Sequence, residues 1–144
     1  MVYLAKTTYV IHICMEVNAM INSLAERISD SELEVMKVLW QAGSALSVTE
    51  IREALQKSRG WEATTIKTLV SRLVSKGAIK QEKRNVFYYS PLISEREYNS
   101  WATRELIERL YKGSAKNMIA ALVDSESLTQ SDISELREMF RVEE

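Results

Sequence analysis

One helix-start pattern precedes three apolar segments of the sequence: a serine is followed three residues later by a glutamate. The three pairs are Ser29 and Glu32, Ser47 and Glu50, and Ser94 and Glu97. In such a capping box each side chain accepts a hydrogen bond from the other residue's free backbone N–H, which fixes where a helix begins. The pattern therefore divides the chain from residue 28 onwards into short helices. Because the chain has one proline and four glycines, it offers few residues for the tight turns of an all-β fold.

The apolar residues after the first two boxes repeat with a helical period. Two helices are predicted to end near residues 43 and 57, and a third is predicted over residues 63–76. The third has a clear apolar stripe, formed by Ile66, Leu69, Val70, Leu73 and Val74. A stripe of this width predicts a helix that packs one face against a core and exposes the other.

After Gly77 the period changes from helical to extended. Two short strands are predicted at 78–83 and 86–90, joined by a tight turn in which Asn85 is expected to tolerate a positive φ. Three helices plus a two-stranded wing are the elements of a winged helix-turn-helix. The predicted fold class is therefore mainly α, with a winged helix-turn-helix over residues 28–91 and a helical part over residues 94–144.

Charge is unevenly distributed, although the net charge of the chain is only −1. Residues 59–93 contain seven basic and two acidic residues, whereas residues 94–144 contain seven basic and eleven acidic ones. A basic middle between acidic flanks is typical of a localised phosphate-binding surface. An uneven solvated surface would produce the same pattern, so charge alone leaves both interpretations open.

The polar face of the third helix is the candidate DNA-reading surface. Short hydroxyl side chains let a helix backbone approach the major groove, and those on this face are Thr64, Thr68 and Ser71. Lys67 lies centrally on the same face and is predicted to contact a base edge. Arg72 and Lys76 lie nearer the flank and the end of the helix, where phosphate contacts are expected.

The tip of the predicted hairpin carries Lys83 and Arg84, within reach of phosphates or of the minor groove. Each candidate also has an ordinary interpretation, because polar helix faces and charged turns are commonly only solvated. Trp40 and Trp61 are interpreted as core residues. The joint placement of these cations on a helix-helix-helix-hairpin order favours DNA binding.

Residues 1–27 show no sustained period and are interpreted as an N-terminal extension. The sequence leaves open whether this segment is disordered or packs as an extra element. Its longest apolar run, residues 9–15, is interrupted by His12 and is too short to cross a bilayer. We therefore expect no membrane association and a cytoplasmic protein.

The large apolar residues after residue 94 are candidates for a dimer interface. They are Trp101, Leu106, Leu110, Ile119, Leu122, Ile133, Leu136 and Phe140. Three short helices cannot bury such side chains well on their own. An isologous dimer would bury them and would space two recognition helices for a palindromic site.

Several stretches resemble the penicillinase and copper-transport repressor family. Residues 28–36 with Leu39 and Trp40 resemble its first helix. Trp61 and residues 65–69, 72–73 and 76–77 are similar to its recognition helix. Residues 87–90 look like its wing strand. Residues 110–113, 128–129 and 135–136 resemble its dimerisation part, so the resemblance covers residues 28–140. It adds Thr65 to the candidate DNA contacts.

The resemblance implies a transcriptional repressor that binds double-stranded DNA at a short inverted-repeat operator as a homodimer. Copper-type members carry a cysteine-rich tail, but Cys14 is the one cysteine here, so we expect neither a metal nor another cofactor. One histidine, one cysteine and no glycine-rich phosphate loop argue against an enzyme. The alternative left open is a winged helix that binds proteins and not specific DNA.

Overall fold

The computed structural model describes residues 2–141, with side chains described from residue 4 onwards. Within that range the chain forms seven α-helices and three β-strands. In chain order these are α1 (Val2–Glu26), α2 (Asp30–Ala42), β1 (Leu46–Ser47), α3 (Val48–Arg59), α4 (Ala63–Lys76), β2 (Ile79–Lys83), β3 (Phe87–Pro91), α5 (Glu95–Tyr111), α6 (Ala115–Asp124) and α7 (Gln130–Met139). The predicted segments 1–27 and 94–144 include residue 1 and residues 142–144, which lie outside the described range.

The predicted capping boxes are confirmed by their hydrogen bonds. At the start of α2, the Ser29 N–H donates to Glu32 over 3.2 Å, and the Glu32 N–H donates to the Ser29 hydroxyl over the same distance. The equivalent pairs begin α3 and α5. Each box satisfies two N–H groups that the first helical turn leaves free. Local sequence alone therefore determines where these three helices start.

The core of the winged helix lies between α2, α3, α4 and the sheet. Its fully or almost fully buried helical side chains are Val35, Met36, Leu39, Ile51, Leu55, Ile66, Leu69, Val70 and Leu73. The stripe predicted for the third helix is thus the buried face of α4, with Val74 partly buried at its edge. Helix α4 ends at Gly77, whose φ of 77° is easily adopted only without a side chain.

The sheet has three antiparallel strands in the order β1-β3-β2, one more than the predicted wing. Strand β1 pairs with β3 through Leu46 opposite Tyr89 and Ser47 opposite Tyr88. Two residues are too few to show a period, so only pairing with a distant strand reveals β1. In the hairpin, Lys83 faces Phe87 across a three-residue turn.

The expectation of a positive φ at Asn85 is wrong. The non-glycine residues with positive φ within the described range lie elsewhere, at Lys112 and Glu126. The turn is one residue longer than the two-residue turn that requires this conformation, and the Arg84 N–H closes it by donating to the Val86 carbonyl over 2.9 Å.

Residues 2–26, whose conformation the sequence left open, form the 25-residue helix α1. Its last turns pack on the winged-helix core, with Ala25 fully buried and Ile21 and Leu24 partly buried. Its earlier apolar side chains, from Leu4 to Met20, are exposed. No helix in the described range, α1 included, is long and apolar enough to cross a membrane.

The chain divides into two compact units, the first ending at Ala102 and the second beginning at Thr103. This division falls inside α5, whereas the sequence placed the change of domain between residues 91 and 94. The reason is that Tyr98 and Trp101, in the first half of α5, pack against the winged-helix core. In the second unit, no described residue of α5, α6 or α7 is buried.

Candidate DNA interface

The face of α4 opposite the core is polar and open to solvent. Its exposed side chains include Thr64, Thr65, Lys67, Thr68, Ser71 and Arg72. The burial of the opposite stripe determines this orientation, because a helix that buries one stripe must present the other. The structure therefore brings six of the nine sequence-predicted contact residues onto one surface.

The Thr68 hydroxyl on this face is already used as a hydrogen-bond donor within the helix. The Thr68 hydroxyl donates to the Thr64 carbonyl over 2.9 Å, which is a common bond within a helix. Its proton is therefore used, and its oxygen is left to accept a hydrogen bond from a ligand. Its methyl group remains able to contact an apolar group such as a thymine methyl.

Two cations on this face have no acidic partner. Within the described part of the chain, neither Lys67 nor Arg72 forms an ion pair, and both side chains are exposed. Lys67 and Ser71 line a cleft of about 290 Å³ that continues to Gln81 on β2 and Tyr89 on β3. The polar face of α4 is thus continuous with the base of the wing.

Lys83 and Arg84 lie at the tip of the hairpin, and each is placed over an aromatic ring. The Lys83 ammonium lies 5.9 Å from the centre of the Phe87 ring, and the Arg84 guanidinium lies 4.8 Å from the centre of the Tyr88 ring. A cation over a ring keeps its full charge while its position is restricted. The sequence did not single out these two rings. Phe87 lies opposite Lys83 in the hairpin, whereas Tyr88 lies opposite Glu82, so only the first contact follows from the strand register.

Glu82 is the acidic residue closest to the wing cations. Its carboxylate lies 3.5 Å from the Arg84 guanidinium and 3.7 Å from the Lys80 ammonium. All three side chains are half exposed, so solvent screens these pairs and they restrain the cations only weakly. The wing tip therefore keeps a net positive charge.

Lys76, the remaining predicted contact on α4, is engaged within the protein. Its ammonium group lies 2.7 Å from Glu32, a side chain that is 1% exposed, and 2.8 Å from the Arg27 carbonyl. The sequence placed this cation near phosphate, but the structure directs it towards the start of α2. It is therefore separate from the exposed face of α4.

The surroundings of two tyrosines in this unit raise their pKa values. Burial raises the pKa of Tyr89, and burial together with the charge of Asp30 raises the pKa of Tyr98. Arg59, in contrast to Lys67 and Arg72, has an acidic partner, because its guanidinium lies 2.7 Å from Glu34. The exposed cations of α4, Lys67 and Arg72, and those of the wing tip, Lys83 and Arg84, all lie in the same compact unit.

The predicted dimerisation residues fall into two groups. Trp101 packs against Tyr98, with 5.6 Å between the ring centres, so the winged-helix unit itself accounts for its partial burial. The others lie in the second unit, where Ile133 and Leu136 are partly buried. The exposed members of that group are Leu106, Leu110, Ile119, Leu122 and Phe140.

No group of three or more potential metal ligands occurs among the described residues. Cys14 lies exposed on α1.

Comparison with known proteins matches the chain from the winged helix onwards. A family model described as "Penicillinase repressor" matches residues 28–141. The chain belongs to this family. It is 35% identical over 115 residues to the penicillinase repressor of Bacillus licheniformis. This match covers 79% of this chain and 89% of that protein. It is 36% identical over 114 residues to the methicillin resistance regulatory protein MecI of Mammaliicoccus sciuri, covering 78% and 92% respectively.

Among solved structures, the chain is similar to the solution structure of the DNA-binding domain of the repressor BlaI. That match has 44% identity and a TM-score of 0.46, and it covers 50% of this chain and 88% of that one. The BlaI monomer of Bacillus licheniformis in complex with the blaP half-operator matches with the same identity and coverage and a TM-score of 0.45. The family is one of transcriptional repressors and not of enzymes. Helix α1 lies before the matched residues.

Proposed function

We propose that this repressor binds a short inverted-repeat operator as a homodimer, with α4 in the major groove and the wing against the flanking backbone. The observation that carries this proposal is the exposed face of α4. It combines short hydroxyl side chains with Lys67 and Arg72, neither of which has an acidic partner in the described chain. A surface of this kind suits a polyanion that must approach the helix backbone closely.

The residues of α4 divide between base and phosphate contacts. Lys67 lies near the middle of the length of α4 and is long enough to reach a guanine edge, while Thr64, Thr65, Thr68 and Ser71 contact bases or phosphates at short range. Arg72 lies one turn further along, where it meets the backbone. Phosphate contacts fix the register of the helix, and base contacts supply the sequence preference.

The wing supplies a second anchor. Lys83 and Arg84 are held over their rings with their charges intact, so they attract phosphate with little loss of side-chain freedom on binding. They are suited to the backbone beside the major groove. This contact contributes affinity without reading sequence.

Dimerisation is supported by the exposed apolar side chains of the second unit. Leu110 and Phe140 are 60% and 64% exposed, and Leu106, Ile119 and Leu122 add to this surface. Soluble proteins rarely leave such a set of large apolar residues in water. An isologous pairing would cover them and present two copies of α4 to two half-sites. Trp101 is left out of this proposed interface.

The named relatives support the same function, because a penicillinase repressor and a methicillin resistance regulatory protein each match most of this chain and most of their own length. We place the repressor in the cytoplasm, where its proposed DNA target lies. It has no catalytic activity in this proposal, since its chemistry is confined to hydrogen bonds and ion pairs with DNA.

The test is selection of binding sites from source genomic DNA with the purified chain, followed by titration of the selected site. We expect the selected fragments to share an inverted repeat. Lys67→Ala should weaken binding to that repeat by about tenfold or more, since one good base contact accounts for about 1–3 kcal/mol. Lys6→Ala, with the same charge change on α1, is the matched control. Selection of unrelated fragments, or equal effects of the two substitutions, would contradict the proposal.

A further inference from the structure

A reciprocal set of bonds joins the end of α4 to the start of α2. The Lys76 ammonium lies 2.7 Å from both carboxylate oxygens of Glu32 and donates to the Arg27 carbonyl over 2.8 Å. In return, the Arg27 guanidinium donates to the Lys76 carbonyl over 3.3 Å. We call these three residues the clasp.

Glu32 also belongs to the capping box that begins α2. Its carboxylate accepts a hydrogen bond from the Ser29 N–H over 3.2 Å while it holds Lys76. One buried carboxylate therefore fixes the first turn of α2 and the last turn of α4 together. Its 1% exposure excludes any direct contact with DNA.

The clasp restrains α4 in a way that its apolar contacts do not. Burial of the stripe formed by Ile66, Leu69, Val70 and Leu73 stabilises the helix, but this contribution has no direction. Small rotations or slides of α4 would preserve most of it. Short charge-assisted bonds weaken as their partners separate, so the clasp resists rotation and sliding of α4 at its C-terminal end.

We infer that Glu32 and Lys76 are positioning residues for operator recognition and that Lys76 itself makes no contact with DNA. This inference rests on the proposed function, because the face that the clasp orients is the one that carries Lys67 and Arg72. Misplacement of a recognition helix disturbs base contacts more than backbone contacts. Loss of the clasp therefore lowers the preference for the operator over other DNA.

The substitution Glu32→Gln separates positioning from electrostatics. It removes a negative charge from the protein, and on charge alone it would strengthen binding to any duplex. It also leaves Lys76 without a charged partner, bonded to the Arg27 carbonyl. The positioning role predicts the opposite for the operator, with affinity lower by about tenfold, and unchanged or higher affinity for an unrelated duplex of equal length. Glu34→Gln is the matched control, since Glu34 is a neighbouring acid on α2 that also pairs with cations.

The experiment titrates the full-length chain and both variants against operator and unrelated duplexes, at a temperature where circular dichroism shows all three folded. The expected result is a reduced operator preference for Glu32→Gln alone. A variant that melts at a lower temperature but keeps the parent's preference would overturn the inference, because the clasp would then only stabilise the fold. A parent that binds every duplex equally would overturn the proposed function and the positioning role together.

A second variant keeps the inference testable if Glu32→Gln does not fold. The double substitution Glu32→Gln with Lys76→Met replaces the ion pair by uncharged groups, which avoids an unpaired buried charge. If Glu32 and Lys76 position α4, the double variant should prefer the operator less than the parent does. On unrelated DNA its affinity should depend on salt as the parent's does. If Lys76 instead contacts phosphate, the slope of log affinity against log salt becomes shallower by about 0.9 per protomer, and the inference is refuted.

Discussion

The wing tip allows a quantitative prediction of salt dependence. Three cations of each protomer are assigned to phosphate: Arg72 on α4 and Lys83 and Arg84 on the wing. A dimer would then neutralise six phosphates, which gives a slope of log affinity against log salt of about −5. Between about 50 and 200 mM salt, operator affinity should fall by about 10³-fold.

Arg84→Gln removes two of these six contacts from the dimer. The slope should become shallower by about 2, so that the loss of affinity over the same salt range falls to about 10²-fold. The existing pairing of Arg84 with Glu82 changes this little, because at 3.5 Å and half exposed that pair is screened by water. Glu82→Gln should raise affinity slightly, since it removes a negative charge beside the proposed contacts.

The assay is fluorescence anisotropy with a labelled operator at five or more salt concentrations. Lys6→Gln is the control for a change of one charge per protomer, and its slope should equal that of the parent chain. If Arg84→Gln also keeps the parent's slope, the wing tip does not contact phosphate, and the reasoning from its free charge fails. A slope near zero for the parent would refute phosphate contact altogether.

Three further outcomes test the rest of the structure. Leu110→Glu places a charge on a 60% exposed apolar position, so it should leave the fold intact but shift the chain to a monomer in sedimentation and weaken operator binding. Leu73→Ala empties a fully buried position of α4 and should lower the free energy of unfolding by about 2–5 kcal/mol in urea titrations, whereas a loss below 1 kcal/mol would contradict its burial. Hydrogen bonds from Lys37 and Arg59 lower the pKa of Glu34 below its ordinary 4.5, so the unfolded chain binds the proton more tightly. The stability that Glu34 contributes is therefore fully present above about pH 4.5 and is lost as the pH falls through the lowered pKa. Glu34→Gln should reduce the acid dependence of the melting temperature. An unchanged acid dependence would show that the bonds of Glu34 to Lys37 and Arg59 contribute nothing to stability.

Features set by neighbouring residues were predictable from the sequence. The capping boxes at Ser29, Ser47 and Ser94 join residues three apart, and the stripe of α4 repeats within one helix. Both follow from helix geometry, which every helix shares. The order of three helices and a hairpin, and with it the exposed polar face, could therefore be predicted without the structure.

Features set by distant residues were not predictable in the same way. Lys76 lies in the same helix as the other cations, and nothing in its local sequence shows that it contacts an acid 44 residues earlier. Strand β1 exists because Leu46 pairs with a residue far along the chain. Trp101 resembles the other large apolar residues of the C-terminal helices, yet it lies in the first unit and packs on the winged-helix core. In each case the contact forms between two positions that are remote in sequence, and a local pattern does not reveal it.

The aromatic contacts of the first unit provide a built-in spectroscopic reporter. The Trp40 indole donates to the Ile93 carbonyl over 2.9 Å, and its ring lies 5.7 Å from Tyr98, which in turn contacts Trp101. All three tryptophans of the chain, including Trp61, precede Thr103, where the second unit begins. Tryptophan emission therefore follows unfolding of the winged helix alone, while far-ultraviolet circular dichroism follows both units. Comparison of the two signals during one titration would reveal whether the two units unfold in one step or separately.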